Sequence, residues 1–153
     1  MSARMRPRLL AASLLLAAGC TGGEDFDIAN TAYQKAVQRW TQNGPDSYSF
    51  VFTQSCACAG PKTGVRIVVR NNVVESRTVV DTGLPLEPQF NTRFPAMPGI
   101  FAIVADALSR GIFYIQADYE AEYGYPYNIV IDEDGVNLAD NQTYTVTGFE
   151  PLE

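Results

Sequence analysis

The sequence predicts an α+β domain, an antiparallel sheet with two helices packed on one of its faces. Three observations lead there. Two stretches repeat apolar residues at the helical period, and six shorter ones alternate or run β-branched. Turn residues separate the strands. The order reads helix–strand–strand–strand twice, which keeps helices and hairpins apart. At 153 residues, 46% hydrophobic and 18% charged, the chain suits one globular domain rather than a disordered tail.

The first helix is read from Ala29, Ala32, Tyr33, Ala36, Val37 and Trp40, which share one buried stripe. Gln34, Lys35, Gln38 and Arg39 fall opposite. Asn43-Gly44-Pro45 should end it with a left-handed cap and a residue that cannot continue. Ser47–Gln54 alternates, with Tyr48, Phe50 and Phe52 on one face. Val65–Arg70 and Val73–Val79 are two β-branched runs joined at Asn71-Asn72, residues that tolerate the positive φ of a tight hairpin.

Leu84–Pro98 holds four prolines and is expected as a connector, either a lid or a crossing between halves. Ile100, Ile103, Val104, Ala107 and Leu108 form the stripe of the second helix, with Pro98 in its first turn and Gly111 at its stop. Strands follow at Ile112–Tyr119, Tyr127–Asp132 and Thr143–Phe149, with Glu133-Asp134-Gly135 turning the chain into Val136. The hairpin at Arg66–Val73 is echoed at Asn128–Val136, so the helix–three-strand unit reads as doubled.

Residues 1–19 read as an address. Arg4, Arg6 and Arg8 precede ten uncharged, mostly apolar residues, Leu9–Ala18. A membrane-spanning helix needs about 20, so this run has the length of a secretory signal. Its end, Ala17-Ala18-Gly19-Cys20, resembles a bacterial lipoprotein signal, with Ala17 where that class prefers Leu. The resemblance implies that the Cys20 thiol receives diacylglycerol and that the chain is cut before it. Residues 20–26 would then be the lipidated cysteine with a short polar tether, and 27–153 one domain. Acyl chains contribute about 0.8 kcal/mol per buried CH₂, so two or more give a stable anchor.

Cleavage removes three arginines and no acid, taking the net charge of −6 to −9. Such a domain should stand off anionic lipid and has no attraction for nucleic acid. Thr21, where Asp would signal inner-membrane retention, favours an outer-membrane destination in a bacterium that has one.

Trp40, Ser47-Tyr48-Ser49-Phe50, Cys56-Ala57-Cys58, the Val-rich hairpin, Ile100-Phe101 with Ile103, and Tyr123-Gly124-Tyr125-Pro126 before Ile129-Val130-Ile131-Asp132 together resemble an uncharacterised family of bacterial lipoproteins, a domain of unknown function. The resemblance covers most of residues 38–146 and implies a secreted, lipid-anchored α+β domain. It implies no activity. More loosely, the doubled unit is similar to β-lactamase-inhibitor-like and peptidase-propeptide-like (PepSY-like) folds, and fold alone does not set function.

Cys56 and Cys58 are the residues with most chemistry. In an oxidising compartment two remaining cysteines pair. On a regular strand their Cα atoms would lie roughly 6.6 Å apart, at the edge of disulfide range, and a bend would close the gap. Three readings stay open: a structural disulfide, an exchangeable redox pair, or a soft-metal thiolate site. The last lacks further ligands, since there is no histidine.

Asp118, Glu120 and Glu122 would share a strand face, either as a solvated acidic surface or as oxygen ligands for a hard cation. Tyr123, Tyr125 and Tyr127 surround Gly124 and Pro126. They would either grip a partner or pack as a turn on the core.

Without histidine there is no triad, and no nucleophile elbow, phosphate loop or zinc signature is present. The expectation is a lipid-anchored envelope protein with a non-catalytic binding or structural domain and no cofactor. Its partners would be membrane lipid through Cys20 and an envelope protein. The alternatives are thiol-redox or metal handling at Cys56 and Cys58, and inhibition of an envelope enzyme.

Overall fold

A computed structural model describes residues 23–137 and 141–153. Cys20 and the signal segment lie outside the described residues. Helix α1 spans Gly23–Asn43. It therefore takes in residues 23–26 of the expected tether. The stripe holds: Ala36 is fully buried, and Tyr33, Val37 and Trp40 pack beside it.

The helix ends for a different reason from the one expected. Gly44 is not left-handed. Its N–H still bonds the Trp40 carbonyl at 2.8 Å. A Cβ there would lie 2.5 Å from the Trp40 oxygen and 2.8 Å from its ring. Gly44 is thus required by the nearness of Trp40, and Pro45 then stops the helix.

Strands β1 (Tyr48–Ser55), β2 (Val65–Arg70) and β3 (Val73–Val79) form a meander. The β2–β3 turn is as expected, with Asn71 and Asn72 at φ 49° and 64°. Helix α2 covers Met97–Arg110 and closes on Gly111 in the left-handed region. Strands β4 (Tyr114–Tyr119), β5 (Pro126–Asp132) and β6 (Gln142–Pro151) follow. All pairs are antiparallel, in the order β3-β2-β1-β6-β5-β4.

Both helices lie on one face. The Tyr48 ring meets Trp40 of α1 at 5.4 Å, edge to face. The same side chain's hydroxyl accepts the Met97 N–H at the start of α2. Phe50, Phe52, Val65, Ile67, Val69, Ile129 and Ile131 are buried with it. That shared face determines what the doubling can mean. In this sheet β1 and β4 stand three places apart and run in opposite directions. Superposing one unit on the other would need a half-turn that puts its helix on the far face. The doubling is one of element order, not of symmetry.

The echo also fails at its last step, because no strand starts at Val136, which is 87% exposed. The Asp132 carboxylate accepts the Gly135 N–H, and that of Asp134 accepts those of Val136 and Asn137. These local bonds use backbone groups that a strand would need. The connector between β3 and α2 is a crossing tied to the sheet edge. The Leu86 N–H bonds the Arg77 carbonyl, a 3-10 helix forms at Pro88–Arg93, and the Arg77 guanidinium donates to the Phe94 carbonyl at 2.6 Å. Phe94 is buried edge-on to Phe52.

Candidate functional site

The cysteine pair sits just beyond the end of β1, in the loop that leads to β2. Leaving the strand at Ser55 bends the chain, and the Cys56 and Cys58 Cα atoms come to 5.2 Å, at disulfide distance. Two cations close around them. Lys62 Nζ donates to the Cys56 carbonyl at 3.2 Å and to the Cys58 carbonyl at 2.6 Å. Arg93, from the end of the 3-10 helix, donates to the Ala59 carbonyl at 2.6 Å, and its other nitrogen lies 3.7 Å from Cys56 Sγ.

Beside the pair runs a groove of about 520 Å³, lined by Gly60, Pro61, Leu84, Leu86, Glu87 and Phe90 among others. Neither cation was singled out in the sequence. Lys62, four residues after Cys58, offered a local signal. Arg93 is 37 residues from Cys56 and offered none.

The tyrosine loop is committed to the fold for two of its three rings. Tyr125 stacks on Phe149 at 4.4 Å, and Tyr123 lies 5.5 Å from the same ring. Tyr127 is 45% exposed. Gly124 has φ 83°, and a Cβ there would stand 2.6 Å from the Ala36 carbonyl oxygen of α1. Arg39 and Asn43 of α1 clamp the loop by donating to the Ala121 and Glu122 carbonyls. The Gly-Tyr-Pro piece is therefore a dock for the helix. Phe149, which the sequence marks only as the end of a strand, is the hub on which Trp40, Tyr48, Tyr123 and Tyr125 converge.

The acidic residues do not share a face. A bulge falls at Asp118/Tyr119, and the strand ends at Tyr119. Asp118 pairs with Gln116 and Asn128. Glu120 accepts the N–H groups of Glu122 and Tyr123 at 2.9 and 2.7 Å. Burial raises its pKa, but N–H bonds from Glu122, Tyr123, Ala121 and Gly124 outweigh that and hold it below the ordinary value. Glu133 bonds Arg110, itself tied to Asp106. Among the described residues, no three Cys, Asp or Glu side chains converge as metal ligands.

The buried hydroxyl of Tyr119 has no hydrogen-bond partner. Burial above all, then Tyr33 and Asp118, raises its pKa. It lies at the edge of a shallow hollow lined by Ile28, Ala32, Lys35 and Arg39 of α1.

Fold and site together define a small α+β domain built on one six-stranded antiparallel sheet, with a cation-flanked Cys-x-Cys loop at the end of a central strand. The chain belongs to a family of unknown function, DUF6174, whose model matches residues 32–151. That span runs from within α1 to the last residue of β6, so the family covers nearly the whole described domain. No curated protein and no solved structure matches the chain.

Proposed function

We propose that this protein is a lipid-anchored component of the bacterial cell envelope whose domain acts as a non-catalytic binding module. The carrying observation is Ala18-Gly19-Cys20 at the end of an apolar run behind three arginines. Only Thr21 and Gly22 separate that cysteine from the first residue of α1. No described helix is long and apolar enough to cross a membrane. An acylated Cys20 supplies the attachment in this reading, facing the periplasm or exterior, with the outer membrane favoured where there is one.

The non-catalytic half rests on how the acids are used. Glu120 and Asp134 bond turn N–H groups, Asp118 lies among amides, and Glu133 is paired with Arg110. In the tyrosine loop, Tyr127 is the ring left for a partner.

Palmitate labelling of the full chain tests the anchor. The wild type should take up label and sediment with membranes, while Cys20→Ala should do neither. A Cys20→Ala protein that is still labelled and still membrane-bound would overturn the reading.

A further inference from the structure

We propose that Cys56 and Cys58 form an exchangeable pair that accepts electrons from thiols, with Cys58 as the sulfur attacked and Cys56 as the leaving thiolate held by Arg93. This goes beyond the binding role above and does not depend on it. The first support is position. The pair lies outside the strand ladder on a loop whose middle residue, Ala57, is exposed. The link spans a sequence separation of 2, so loop closure adds little stability, and reduction loses little with it.

The second support is charge. In a chain of net charge −6, Arg93 Nη2 stands 3.7 Å from Cys56 Sγ, and Lys62 Nζ holds the carbonyls on either side of Ala57. Arginine or lysine beside a cysteine lowers its thiol pKa, and a lower leaving-group pKa speeds exchange. The nearby acids, Asp81 and Glu87, line the groove next to Gly60 and hold no hydrogen bond to either cation.

The third support is asymmetry. Arg93 reaches Cys56 Sγ and the Ala59 carbonyl, whereas among the described residues no cation is hydrogen-bonded to Cys58 Sγ, Lys62 meeting that residue at its carbonyl. Cys58 is the cysteine nearer in sequence to Gly60 and Pro61 of the groove, where Leu84, Leu86 and Phe90 offer a thiol-bearing segment apolar contact between Asp81 and Glu87.

The step is thiol–disulfide exchange. An incoming thiolate attacks Cys58 Sγ. A new S–S bond forms there, the Cys56–Cys58 bond breaks, and its electron pair leaves on Cys56 beside Arg93. A second thiol then attacks the mixed disulfide and departs as a disulfide with the first. Cys58 is left reduced, and two electrons have passed from two thiols to the pair.

Two probes, reduced glutathione and a short cysteine peptide with leucines on either side, are mixed with the oxidised full chain. Adducts are trapped by acid and located by mass spectrometry. The expected result is a mixed disulfide at Cys58, in at least tenfold excess over Cys56. Faster reaction of the peptide would assign the partner thiol to a protein, and faster reaction of glutathione to a small molecule. No adduct from either probe, or adducts mainly on Cys56, would overturn the proposal.

The charge is tested separately in Cys58→Ser, where Cys56 is the remaining cysteine of the loop and its alkylation is read apart from that of Cys20 by peptide mass spectrometry. Its alkylation by iodoacetamide should have a pH midpoint below the free-cysteine value of about 8.5. Adding Arg93→Gln should raise the midpoint by about one unit, or tenfold in thiolate at lower pH, and Arg93→Lys should restore most of it. A midpoint that Arg93→Gln leaves unmoved would remove Arg93 from the mechanism. The adduct site in the wild type is informative even where a variant fails to fold.

Discussion

Glu120 shows how one side chain can look like chemistry and serve as structure. Its carboxylate takes the N–H groups that the 120–125 turn leaves open, as an N-cap residue does for a helix. Because its pKa is lowered on folding, the stabilisation is complete above the unfolded value of 4.5 and is lost as pH falls through the lower folded value. Glu120→Gln should cost about 1 kcal/mol at pH 7, a figure that allows for partial solvent screening. The gap to wild type should narrow at pH 3, as read by urea unfolding at both pH values. The sequence showed these acids at alternate positions, and alternation implied one face. The bulge at Asp118/Tyr119 breaks that inference, and a bulge leaves no pattern in apolar spacing. Arg93 was invisible for a related reason: what brings it to Cys56 is the path of the connector, not a motif.

Among the elements, those set by local chemistry were legible. Strands β2 and β3 have the expected bounds because Asn71 and Asn72 accept positive φ and fix the register between them. Helix α2 is likewise framed by Pro98 and Gly111. The last strand starts at Gln142, one residue before the expected Thr143; what was not legible is that Val136 opens no strand, since Asp132 and Asp134 offer the backbone a competing turn.

The docking of the tyrosine loop on α1 gives a prediction of its own. Gly124→Ala would put a methyl group 2.6 Å from the Ala36 oxygen and 2.8 Å from Arg39 Cβ, at a φ that L-residues rarely adopt. It should destabilise by about 2–4 kcal/mol, from strain and steric overlap together. Arg39→Ala, which removes one clamp to the Ala121 carbonyl, should cost less. Chemical denaturation of the two variants side by side checks the order.

At the scale of the whole molecule, two periodicities and their grouping were enough for the fold class. The strand order was not legible. Placing β1 against β6 joins Tyr48 to Pro151 and Ser55 to Thr143 across nearly the full domain, and nothing local marks such pairs. Removing residues 142–153 would strip one of two partners from both β1 and β5. That truncated chain should lose near-UV circular dichroism and cooperative thermal unfolding rather than show a modest drop in midpoint.

The same pairing governs when the domain can form. β6 follows every other described strand in the chain yet lies at the centre of the sheet, so neither three-strand half has its full complement of neighbours until β6 has been made. Long-range closure of this kind is slow. A chain of this design stays open until that strand is available, and its two half-sheets then join along the β1–β6 seam.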